Sequence, residues 1–356
     1  MSCELATALR STPAKVIATG KLWQHTFKTY FKTVPGNVFI LVLAIGGLAI
    51  AGLHLASLRP NNRAVSPPVV VQQNAENTPA PNPGLTQNNP LFATNASWVQ
   101  DFTGKASGSV DPASWNVLVG PAENSNREQQ YYTNDYANIR VEDGALRLIA
   151  TKQAEPSGYQ YGSARIETQG KQSFLYGRMD IVAKLPRGVG TWPAIWLLPA
   201  NDVYQQKSPA SNTLRYRNGG ELDIMEAVGF QPNKIYGVAH NALDFTSRND
   251  GTGSFSTVNV PTSTTGFNKY TLLWTPTSLT FAVNDAPYFT FTRKAGADYT
   301  SWPFDQPFYL IVNLAMGGSW GGMDTAHFPG NGIDNSALPA SLDIRSIYYY
   351  PYIGPM

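Results

Sequence analysis

The segment Gly219-Gly220-Glu221-Leu222-Asp223-Ile224-Met225-Glu226-Ala227-Val228-Gly229 sets three carboxylates among apolar side chains, bounded by glycines. Period-two alternation places Glu221 and Asp223 on one face of a strand and Leu222 and Ile224 on the other. Carried through unbroken, it would set Met225 beside the acids and turn Glu226 into the core, where an unpaired carboxylate is costly. A β-bulge that absorbs Met225 restores the phase and returns Glu226 to the face of Glu221 and Asp223. Three acids on one strand also read as a solvated edge or a calcium site. The apolar and aromatic surroundings speak against the edge, and side chains on one strand diverge less than an oxygen cage needs. Acid/base chemistry suits the pattern better. Close carboxylates do not all ionise easily, so one of them holds a proton ready to donate.

Residues 91–356 around this segment carry no long amphipathic helical pattern. Short β-prone runs recur between Gly, Pro, Asn and Asp: 97–102, 138–141, 145–151, 163–168, 174–185, 192–198, 221–228, 234–241, 270–274, 279–283, 288–292, 308–314 and 342–350. Such runs predict one large antiparallel sandwich, all-β. Trp192 and Trp196 stand four apart on a predicted strand and so share a face. Both fit a core equally well, but indole also stacks on the flat C–H faces of sugar rings. Trp320 sits in the Gly-rich run Gly317-Gly318-Ser319-Trp320-Gly321-Gly322, where a platform over a cleft is expected. His240 falls on the strand after the acidic one, as a structural histidine or a ligand contact.

The segment Glu221-Leu222-Asp223-Ile224-Met225-Glu226 resembles the signature of glycoside hydrolase family 16 in its bulged, laminarinase-like form. The likeness extends over 97–350, through Asp111-Pro112-Ala113-Ser114-Trp115-Asn116, Asn126-Arg127-Glu128-Gln129-Gln130-Tyr131-Tyr132-Thr133, Tyr161-Gly162-Ser163-Ala164-Arg165-Ile166 and Thr191-Trp192-Pro193-Ala194-Ile195-Trp196. It continues through Asn313-Leu314-Ala315-Met316-Gly317-Gly318-Ser319-Trp320 and Asp343-Ile344-Arg345-Ser346-Ile347-Tyr348. The resemblance implies a concanavalin A-like jelly roll of two curved antiparallel sheets with a concave substrate cleft. It implies a retaining mechanism with Glu221 as nucleophile, Glu226 as acid/base and Asp223 as the helper between them. Retention needs the two working carboxyls about 5–5.5 Å apart.

By the same resemblance Asn138 and Arg165 hydrogen-bond sugar hydroxyls, Trp192 and Trp196 line the cleft, and His240 faces the reducing-side subsites. Tyr216 stands where the family usually has Trp, five residues before the nucleophile, and is expected to contact the sugar beside the scissile bond. Some relatives hold a structural calcium ion at the positions of Gly144 and Asp343; no cofactor is implied for catalysis. The expected activity is endo-1,3(4)-β-glucan hydrolysis by a monomer. Transglycosylation and a galactan of the agarose or carrageenan type are the enzymatic alternatives. A carbohydrate-binding jelly roll is the non-enzymatic one, and the presence of all three acids weighs against it.

Composition agrees with an uncharged polymer as partner. Charged residues are 14% and the net charge is +2, with five cations against Glu4 in residues 1–36, so no basic groove for nucleic acid remains downstream. Val38 to Leu58 contains no Asp, Glu, Lys or Arg and at 1.5 Å per residue spans roughly 30 Å, a bilayer core. A transmembrane signal-anchor over 37–58 follows, with 1–36 cytoplasmic and the catalytic domain 91–356 outside. Cleavage of the segment would instead secrete the domain. Residues 59–90 are rich in Pro, Asn and Gln and read as an extended linker. The sole cysteine, Cys3, excludes an intramolecular disulfide.

Overall fold

The computed structural model describes residues 89–122, 126–201, 203–204, 219–243 and 254–356, and near the N-terminus the paired strands Thr33–Val34 and Val38–Phe39. The chain divides into two compact units, Met1–Ser66 and Pro67–Met356. The membrane helix expected over 37–58 falls outside the described residues except at Val38 and Phe39, which form a short strand instead. Among the described residues no helix is long and apolar enough to cross a membrane. Most of 1–36, with Cys3, and of the linker 59–90 also lies outside them.

The second unit is a sandwich of two sheets. One has seven strands, ordered Ser254–Asn259, Lys234–His240, Glu221–Glu226, Thr191–Pro199, Phe308–Met316, Arg165–Glu167 and Asn116–Val117, every pair antiparallel. The other has eleven strands, with Gly177–Lys184, Ala340–Tyr350 and Ala145–Lys152 at its centre. Period two explains how they meet. In Thr191–Pro199, Ile195 and Leu197 are fully buried in the core with Leu222 and Ile224. Ile181 and Ile344 reach the same core from the second sheet. Trp192, Ala194 and Trp196 take the opposite face, where the register places them beside the acids.

Each predicted strand has a counterpart. The run 163–168 is split, because the chain changes sheets at the buried Ala164: Tyr161–Ser163 belongs to the eleven-stranded sheet and Arg165–Glu167 to the seven-stranded one. This switch brings Arg165 onto the same sheet as the acids.

Candidate active site

The placement of the three acidic side chains depends on one irregularity in pairing. Toward Thr191–Pro199, Asp223 faces Trp196 and Met225 faces Ile195, so Ile224 has no partner. Toward Lys234–His240, Asp223 faces Val238 and Glu226 faces Tyr236, leaving Ile224 and Met225 together opposite Gly237. This is a bulge of two residues against one, and both of its side chains enter the core. The unpaired residue is thus Ile224, where the sequence suggested Met225. The consequence for Glu226 is the one required: it is half-buried, on the face of Glu221 and Asp223.

Three contacts define the chemistry. Trp192 donates from Nε1 to Glu226 Oε1 at 2.7 Å. His240 Nε2 lies 3.0 Å from Asp223 Oδ2 and 4.0 Å from Glu221 Oε1. Burial, reinforced by the charge of Asp223, lifts the Glu226 carboxyl to about 8, against the pull of Trp192 and His240. Burial opposes the His240 cation, yet Asp223, Glu221 and Glu226 together raise it to about 9. At neutral pH the face therefore offers a protonated Glu226 beside carboxylates partnered by a cationic imidazole. A proton-holding carboxyl and ionised neighbours on one face are an arrangement suited to acid/base chemistry. Glu221, Asp223 and His240 each place a polar atom within 4.8 Å of the others.

Two clusters flank the acids across the sheet. On one side Arg165 lies with its guanidinium 5.3 Å from the centre of the Trp196 ring and pairs with Glu167 at 3.2 Å. Trp196 donates to Asn313 Oδ1 at 2.7 Å, and Asn313 donates to Tyr132 Oη at 3.3 Å. On the other side Trp320 meets Trp192 edge-on at 5.5 Å and Tyr236 at 4.9 Å. It sits in a one-turn helix, Gly318–Gly321, half-buried against a small apolar cluster with Val228 and Ala315. Sequence reasoning passed over Tyr236 and Asn313. Tyr236 shares the parity of His240 on one strand, a signal that was present in the spacing.

Asn138 departs from expectation. It is fully buried, donates to Ile149 O and Thr151 Oγ1 at 2.9 Å each, and accepts from Thr133 Oγ1 at 2.8 Å. Its amide is used up inside the fold and does not reach a sugar. The calcium site expected at Gly144 and Asp343 does not fit either. Asp343 pairs with Lys184 at 2.8 Å and Arg147 at 3.4 Å and accepts from Ser341. A metal ion there would have to displace two cations. Tyr216 lies outside the described residues.

Residues 126–330 match the family model described as Glycosyl hydrolases family 16. The chain is 38% identical over 261 residues to a beta-glucanase of Rhodothermus marinus, covering 72% of this chain and 85% of that protein. It is 30% identical over 285 residues to glucan endo-1,3-beta-glucosidase A1 of Niallia circulans, covering 74% of this chain and 39% of the relative. The X-ray structure of the laminarinase from Rhodothermus marinus aligns with a TM-score of 0.65 at 38% identity, over 73% of this chain and 98% of that one. With the family model spanning more than half of its length, this glycoside hydrolase belongs to family 16.

Proposed function

We propose that the chain is a retaining endo-1,3(4)-β-glucanase of the laminarinase type. The observation that carries the reading is the bulge, which sets a protonated Glu226 on the same face as Glu221 and Asp223. In the first step the Glu221 carboxylate attacks the anomeric carbon. The glycosidic C–O bond breaks as Glu226 gives its proton to the leaving oxygen, and a glycosyl ester forms on Glu221. In the second step Glu226, now a carboxylate, takes a proton from water. The water oxygen bonds to the anomeric carbon and Glu221 is released. Trp192 keeps the Glu226 carboxyl aimed between these steps. The names of the glucanase relatives support β-glucan as the substrate class.

The test is turnover of laminarin, lichenan and agarose by Glu221→Gln and Glu226→Gln. Each variant should lose at least about a thousandfold in kcat on the β-glucans, and NMR of the wild-type products should show the β-anomer first. Wild-type turnover in either variant, or an inverted first product, would sink the retaining reading. The anchored, outward-facing placement is carried by the sequence of 1–58 alone; fractionation of cells making the full chain tests it, a purely soluble pool counting against it.

A further inference from the structure

His240 stands against the two carboxylates that a retaining enzyme needs charged, 3.0 Å from Asp223 and 4.0 Å from Glu221. Depth works against the charge of both. The side chain of Asp223 is 4% exposed and that of Glu221 18%, and a carboxylate loses more hydration the deeper it lies. A retaining enzyme needs its nucleophile charged, so a cation beside these two groups has work to do.

We propose that His240 is a positioning residue for the catalytic proton: as a cation it holds Asp223 and Glu221 ionised, and so leaves the proton on Glu226. The inference rests on the retaining reading above. Geometry carries it. Among the described residues the ionisable groups facing His240 are Glu221, Asp223 and Glu226 of the acid-bearing strand. The edge strand on its other side, Ser254–Asn259, brings no ionisable side chain. The imidazole therefore has its near contacts with the carboxyls of Asp223 and Glu221. Glu226, in contrast, is held by the neutral indole of Trp192. The difference in partner is what separates donor from nucleophile.

The experiment is the pH dependence of kcat and KM on laminarin for wild type, His240→Gln, His240→Lys and Glu226→Gln. Removing a cation at this distance should move the acidic limb of kcat/KM upward by about one pH unit, because Asp223 and Glu221 then take protons more readily. At neutral pH His240→Gln should lose on the order of tenfold in kcat, with KM within about twofold of wild type. His240→Lys, which keeps the charge, should hold the limb near its wild-type position. A loss equal at every pH, a loss confined to KM, or a wild-type profile in His240→Gln overturns the proposal. Should that variant not fold, the ring protons of His240 in the wild-type protein decide by NMR: a cation at neutral pH supports the proposal and a neutral ring defeats it. Glu226→Gln separates the two levels. If it turns over like wild type the retaining reading falls; if it is dead while the His240 limbs do not move, only the role of His240 falls.

Discussion

One indole nitrogen restrains the Glu226 carboxyl. Trp192 donates to Glu226 Oε1 at 2.7 Å, and a donor on a carboxyl oxygen favours the charged form. It thus works against burial, the main reason the carboxyl rises to about 8. Trp192→Phe keeps a ring against Trp320 but removes the donor. The alkaline limb of kcat/KM should then move up by about half to one pH unit, and kcat should fall because the carboxyl is no longer aimed. A pH–rate profile on laminarin checks this; an unmoved or lowered alkaline limb would contradict it. Trp192 was legible in the sequence because it shares parity with Trp196 on a strand beside the acids. Asn138 was not, because a matching position says nothing about which partners exhaust its amide; Thr133, Ile149 and Thr151 do so. Asp343 misled for a related reason: its neutralising partners Lys184 and Arg147 come from other strands, 159 and 196 positions away.

At the scale of the strand, the acid-bearing element is shaped from both sides. Charge and parity foretold that a residue must be absorbed between Asp223 and Glu226. They pointed to Met225, whereas the pairing leaves out Ile224; both adjacent apolar side chains end in the core. What the sequence concealed is the space the bulge needs across the ladder. Gly237 sits opposite Ile224 and Met225, and a Cβ there would collide with Tyr288 Oη and press on the Phe281 ring at 3.0 Å. The glycine therefore lets a tyrosine from the second sheet reach under the bulge. Gly237→Ala is expected to destabilise the domain by about 1–3 kcal/mol through overpacking and to lower kcat by disturbing the phase of Glu226. Adding Tyr288→Phe removes the oxygen in the way and should restore part of both losses. Urea unfolding and turnover of the single and double variants measure it. A silent Gly237→Ala, or a double variant no better than the single, would show that the contact is not what holds the bulge.

Over the whole molecule, the sandwich and its long strands were legible because each buries one face with period two. The shortest strands were not: Asn116–Val117, Gly120–Pro121 and Gln130–Tyr132 are too brief to show a period, and Gln130–Tyr132 is held by a parallel partner, Tyr161–Ser163. The stability of this fold should carry the mark of its active site. Folding raises Glu226 from 4.5 to about 8 and His240 from 6.5 to about 9, so between those values the folded state binds protons that the unfolded chain has lost. Stability then falls as pH rises, because unfolding releases protons there. The Glu226 contribution is complete below 4.5 and gone above about 8; that of His240 is complete below 6.5 and gone above about 9. Carboxylates shifted the other way, such as Asp101, held down chiefly by the Thr103 backbone N–H, lose their contribution only in acid and do not oppose this trend. The melting temperature should therefore decline from pH 6.5 to about 9, and the decline should be shallower in Glu226→Gln, whose amide cannot titrate. Calorimetric melts of both proteins through this range decide the matter. A flat wild-type curve, or equal slopes in the two proteins, would mean that the catalytic protons are not coupled to folding.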